Sequence, residues 1–120
     1  MYEIYFYKDS KGNEPVLDYI RKLSEKKDKD SRIKLNKIQD YIQILSKYGI
    51  EAGGPYLKNL EDEIWELRPL RDRILFARFV KKSYILLHHF TKDTQKTPRR
   101  EIEKAKRELI NLRERNEIHE

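Results

Sequence analysis

From Glu66 to Arg73 the chain reads ELRPLRDR, and from His88 to Lys96 it reads HHFTKDTQK. Arginine forks and lysine ammonium groups bind phosphate oxygens, whereas histidine and glutamate can move protons. Residues 68–100 hold ten cations: Arg68, Arg71, Arg73, Arg78, Lys81, Lys82, Lys92, Lys96, Arg99 and Arg100. They hold two acids, Asp72 and Asp93, so the window carries +8 in a chain whose net charge is +6. The remainder is slightly acidic, and this polarity predicts one positive face with a polyanionic partner.

A four-residue hairpin loop, Pro69–Leu70–Arg71–Asp72, places Arg68 opposite Arg73. The same register pairs Leu67 with Ile74, Glu66 with Leu75, Trp65 with Phe76 and Glu63 with Arg78. Side chains alternate between the faces of a sheet. One face therefore carries Leu67, Ile74, Trp65 and Phe76 as core; the other carries Arg68, Arg73 and Glu66. Two arginines facing each other disfavour the strand pair by about 0.2–1 kcal/mol. Either an anion such as a phosphate lies between them, or Glu66 or Asp72 neutralises them. A second hairpin turning on Lys81–Lys82 with a two-residue loop puts His88 and Phe90 on the Arg73 face and His89 on the core face; a three-residue loop reverses this.

A basic face with an aromatic suits RNA, whose bases stack while its phosphates meet Arg and Lys. Cleavage by the neighbouring 2′-hydroxyl needs a base, cations on the phosphoryl oxygens and an acid at the leaving oxygen, and no metal. No acidic run lies beside the histidines to hold Mg²⁺, no H-x-x-x-H pair suggests Zn²⁺, and no phosphate-cradling glycine loop is present. Ser83 has no base partner in view. No metal or cofactor is expected. With no cysteine, disulfides and thiolate sites are excluded.

The elements that must position these groups follow from periodicity. Tyr2–Tyr7 reads as a strand. Asn13 is expected to cap a helix with Pro15 in its first turn and Val16, Leu17, Ile20 and Leu23 on one stripe. A second helix starts at Asp30 or Ser31, carries Leu35, Ile38, Tyr41, Ile42 and Leu45, and ends at Gly49. Strands EIWELR, RILFARFV and YILLHHF come next. Thr97 is expected to cap a last helix with Pro98 at its first position and Ile102, Ala105, Leu109 and Leu112 inward. The order β-α-α-β-β-β-α predicts an α+β domain over residues 1–115, with a small, largely antiparallel sheet and two N-terminal helices packed on one face. Residues 116–120 are expected to be a frayed tail. The opening residues lack a signal-peptide pattern, and no run approaches the roughly 18 apolar residues of a membrane span. A cytoplasmic protein without a membrane partner is expected.

The segments EIWELRPLRDRILFARF and ILLHHFTKDTQKTPRREIEKAKR resemble the RelE/HigB-type toxins of bacterial type II toxin–antitoxin systems, in their phage-derived HigB-like branch. The resemblance runs from residues 5–7 to about Arg113 and is most specific from Glu66 to Arg107. It implies a RelE-like fold and ribosome-dependent cleavage of mRNA, leaving a cyclic or 3′-phosphate and a 5′-hydroxyl. It also implies a HigA-like helix-turn-helix antitoxin, whose complex with the toxin binds operator DNA. By this resemblance Arg68 and Arg73 hold the scissile phosphate and Lys92 or Lys96 positions RNA or supplies a proton. Glu66 or one of His88 and His89 is then the base. Arg71, Phe90, His89, Arg99 and Arg100 are the expected RNA contacts. The chain departs from the RelE pattern in lacking a tyrosine after its last strand. A ParE-like gyrase poison of the same fold and a non-catalytic basic phage protein that binds nucleic acid are the alternatives.

Overall fold

The computed structural model describes residues 1–119, with side chains through residue 115. Strand β1 (Glu3–Phe6) leads into α1 (Pro15–Glu25) and α2 (Lys29–Tyr48). A single 3₁₀ turn, Gly49–Ala52, precedes β2 (Leu57–Glu61), β3 (Ile64–Leu67), β4 (Asp72–Arg78) and β5 (Ser83–Thr91), and α3 (Arg99–His119) closes the chain. The sheet order is β1-β5-β4-β3-β2. Among the described residues only the β1–β5 pair is parallel. The fold is thus the expected α+β class, with one strand more than the sequence predicts. β2 escapes pattern reading because it is an edge strand whose LKNLE leaves Lys58 and Asn59 exposed, so it lacks an alternating apolar signature.

Two layers sandwich the sheet. On one face, Val16, Leu23, Ile38 and Leu45 of α1 and α2 pack against Leu67, Ile74, Phe76 and Leu86, with Trp65 at the margin. On the other, Ala105 and Leu109 of α3 pack against Tyr7, Ile64, Leu75, Ala77, Ile85 and Leu87. The predicted helix stripes all point inward except Leu17, which lies outside the packed cluster. Because both faces of β4 and β5 are covered, Ile74–Ala77 and Tyr84–Leu87 are buried without interruption, the continuous apolar signature of a two-sided strand. Each buried Leu, Ile or Phe among them contributes about 1.5–3 kcal/mol on leaving water. No helix among the described residues is long and apolar enough to cross a membrane.

Helix termini use the expected chemistry at shifted positions. Asn13 does not cap α1; Glu14 occupies that place, with no side-chain cap. Asn13 instead donates its backbone N–H to Asp9 Oδ1 at 2.8 Å, completing a turn. α2 begins earlier than predicted because Asp28 accepts from the Ser31 N–H at 2.9 Å, a capping bond that satisfies one free donor of the first turn. Gly49 ends α2 with φ +65°, a conformation that favours glycine. The Thr97 hydroxyl, ahead of α3, donates to Glu66 Oε1. The helix backbone continues to His119. The side chains of the expected tail at 116–120, and residue 120 altogether, lie outside the described residues.

Candidate nucleic-acid site

The β3–β4 register is Leu67 with Ile74, Glu66 with Leu75 and Trp65 with Phe76, as hairpin arithmetic requires. Asp72 is the first residue of β4, where it pairs with Thr91 of β5, and its N–H on Pro69 O at 3.1 Å closes the four-residue turn Pro69–Asp72. Continued by one step, the register sets Arg68 against Arg73. On β5, Arg73 stands directly opposite Phe90 and Leu75 opposite His88. Two neighbouring rows therefore cross the α3 face at this end of the sheet: Glu66, Leu75, His88, and then Arg68, Arg73, Phe90.

His88 reaches this face by a different route from the expected two-residue loop. The β4–β5 loop has three residues, Val80–Lys82, closed by the Phe79 N–H on Ser83 O at 3.0 Å, with Lys81 at φ +47°. Alone, that loop would turn His88 to the α1/α2 face. A bulge at Leu87 of β5, opposite the Leu75–Phe76 step of β4, shifts the register by one and returns His88 to the α3 face. The two deviations cancel along the strand.

Glu66 is the hub. Its carboxylate is 3.6 Å from Arg68 Nε and 4.0 Å from Arg73 Nε, and it accepts from the Thr97 hydroxyl. Glu66 and Arg73 are only 3% and 7% exposed. Arg73 Nη1 donates to the Leu70 and Asp72 carbonyls at 2.7 and 2.8 Å. Both Nε atoms, of Arg68 and of Arg73, are buried without a hydrogen-bond partner. Burial lowers the pKa of Arg73; Glu66 opposes that and Arg68 adds to it. Of the two neutralising acids considered from sequence, Glu66 therefore serves both arginines, and one carboxylate leaves one positive charge over. Asp72 turns its carboxylate to the opposite face, onto Tyr19 and His89.

The remaining candidates divide. Phe90 is half-buried beside Arg73, and its ring lies 6.1 Å from that of His88 at an interplanar angle of 27°. Lys92 is half-buried, and its N–H donates to Arg71 O at 2.8 Å. Lys96 is exposed, one residue before the Thr97 that touches Glu66. Arg71 is exposed and donates to Lys92 O at 2.8 Å, which ties the turn to the end of β5. Arg100 is exposed at the start of α3. The structure does not bring His89 or Arg99 to the Arg68–Arg73 pair. His89 projects to the α1/α2 face, because alternation opposes it to His88. Arg99 pairs with Glu61 and Glu103 at the β2 edge.

His88 Nε2 lies 2.9 Å from Glu101 Oε1, a residue that sequence reading did not single out. Burial lowers the His88 pKa, the bond to Glu101 works against it, and Lys104 adds to the lowering. His88 is thus held under α3 by its contact with Glu101. Thr97 was missed as a site residue because helix capping accounted for it in full. Among the described residues no three of His, Asp and Glu converge to share a cation.

Chemically, the arrangement is a small α+β scaffold presenting a guanidinium pair with surplus charge, a carboxylate between them and an aromatic ring alongside. The sequence profile of the family described as Phage derived protein Gp49-like (DUF891) matches residues 18–109, from α1 through the packed half of α3. The chain belongs to that family, which is RelE/HigB-like and associated with the toxins of toxin–antitoxin systems. Such a family suggests an antitoxin partner. No curated protein matches the sequence.

Proposed function

We propose that this protein is the toxin of a type II toxin–antitoxin system and a metal-independent endoribonuclease that cleaves mRNA on the ribosome. The observation that carries this reading is the convergence of two buried, unpartnered guanidinium Nε atoms on one carboxylate. Unsatisfied buried donors carry a desolvation cost that an incoming acceptor removes, and a phosphodiester supplies acceptors of the right sign.

In this mechanism Glu66 takes the proton of the attacking 2′-hydroxyl, whose oxygen bonds to the adjacent phosphorus. Arg68 and Arg73 hold the phosphoryl oxygens as negative charge grows there. The bond to the 5′-oxygen breaks, that oxygen takes a proton from Lys92, Lys96 or solvent, and a 2′,3′-cyclic phosphate and a 5′-hydroxyl remain. Phe90 offers a face on which a base can stack. Glu66 is favoured over His88 as base because it lies within 4.0 Å of both arginines, whereas Leu75 stands between His88 and Glu66 in their row and Glu101 occupies the His88 Nε2. A HigA-like antitoxin neutralises the toxin, and their complex binds the operator.

Mapping 5′-hydroxyl ends on mRNA translated with and without the protein tests this. Cuts within codons that vanish with Glu66→Gln support the reading. Uncut mRNA during growth arrest with a DNA-damage response selects gyrase poisoning. Salt-dependent RNA binding with neither cleavage nor arrest selects a binding protein alone.

A further inference from the structure

Asp72 is 1% exposed, yet it carries a carboxylate into the layer beneath α1 and α2. Two donors from different elements satisfy one of its oxygens: the Tyr19 hydroxyl of α1 at 2.9 Å and His89 Nε2 of β5 at 3.0 Å. The Tyr19 and His89 rings stack on each other with centroids 3.6 Å apart and planes 19° apart. A buried carboxylate costs several kcal/mol to desolvate, and apolar side chains of similar volume would do as well for stability alone. The network therefore calls for a role beyond packing.

The backbone of Asp72 shows where that role leads. Its N–H donates to Pro69 O at 3.1 Å, closing the turn in which Leu70 adopts φ +58°. Its carbonyl, with that of Leu70, receives Arg73 Nη1. The guanidinium is thus pinned at one end by two carbonyls of this turn, while its buried Nε lies 4.0 Å from Glu66 without a hydrogen-bond partner. The preceding residue, Arg71, is bonded through both backbone and side chain to Lys92. Fixing Asp72 fixes the turn, and fixing the turn aims Arg73 and holds the end of β5.

We propose that Tyr19, Asp72 and His89 form a buried clamp on the α1/α2 face that aims the Arg73 guanidinium on the opposite face. They are positioning residues for phosphate binding. The identity of the anion rests on the endoribonuclease reading; the aiming of Arg73 does not.

Two measurements test the clamp. The first follows the Arg73 side-chain Nε–H resonance and its order parameter in ¹⁵N-labelled protein. Tyr19→Phe and Asp72→Asn are expected to shift this resonance and lower its order parameter while backbone amides of α3 stay in place. An unchanged Arg73 resonance in a folded Tyr19→Phe protein overturns the proposal. Tyr19→Phe removes one hydroxyl and keeps the ring stack, so it decides the matter even where Asp72→Asn does not fold. The second measures RNA cleavage in a double-mutant cycle. Tyr19→Phe is expected to slow cleavage on the order of tenfold to a hundredfold in the parent and to add no loss to Arg73→Lys. Equal losses in both backgrounds would mean a general structural effect and sink the clamp. A parent protein that cleaves nothing removes the endoribonuclease reading and leaves the resonance measurement to judge the clamp alone.

Discussion

Two guanidinium groups around one carboxylate set unequal consequences for single substitutions at this end of the sheet. Arg73→Ala should abolish RNA cleavage and growth arrest while the fold persists, seen as an unchanged far-UV circular dichroism spectrum. Removing its two bonds to backbone carbonyls should cost about 1–3 kcal/mol of stability, read by urea unfolding. Lys96→Ala, at an exposed loop position, should leave stability unchanged and slow cleavage about tenfold, which is 1.4 kcal/mol of transition-state stabilisation. Elsewhere, Glu108 on α3 has a buried Oε1 without a partner. Burial raises its pKa to about 7, against the pull of Lys104 and Arg107. Between its ordinary 4.5 and about 7 the folded protein holds a proton that the unfolded chain has released. Stability from this group therefore falls as pH rises through that window and levels off above it. Glu108→Gln should abolish that fall, so the variant should match the parent in thermal unfolding at pH 4 and exceed it at pH 8.

Among the elements, the joints matter most. Gly49 ends α2 where a Cβ would lie 2.8 Å from the Tyr84 hydroxyl oxygen and from a Tyr2 ring carbon. Gly49→Ala combines that crowding with a left-handed φ and should destabilise by about 2 kcal/mol or more, measured by urea denaturation. α3 is held over the sheet by its apolar stripe and by a clasp at the β2–β3 turn, where Glu61 meets Arg99 and Lys106, and Glu63 meets Arg113. The clasp explains why Arg99 is spent on structure. Its charge counts toward the positive window, yet one of its partners, Glu61, comes from a strand edge 38 residues upstream that carries no pattern of its own.

For the whole molecule, the positive window does not become a uniformly free surface. Arg68 and Arg73 share Glu66, and Arg71 lies 3.8 Å from Asp93. If about three cations remain to meet phosphates, affinity for a single-stranded RNA oligonucleotide should fall with salt at a log–log slope of about −2. A titration from low to physiological salt measures this, and a flat response would remove the nucleic-acid reading. The α+β class, the helix stripes and the β3–β4 register were legible because each rests on local periodicity. Leu35 to Leu45 repeat every third or fourth residue, and any one-residue slip of the hairpin would expose Trp65.

Apart from β2, the sequence by itself determined the elements, the Arg68–Arg73 opposition and the match of the chain to a toxin-like pattern, since these depend on spacing within a strand, a helix or a single turn. Only the tertiary structure decided that Glu66 serves both arginines while Asp72 faces away, that a three-residue loop and a bulge together return His88 to the Arg73 face, and that Tyr19, Asp72 and His89 meet. Those outcomes depend on which strand neighbours which and on which side a helix lies. Such contacts join residues up to seventy positions apart, as Tyr19 and His89 show, and leave no periodic trace in the chain.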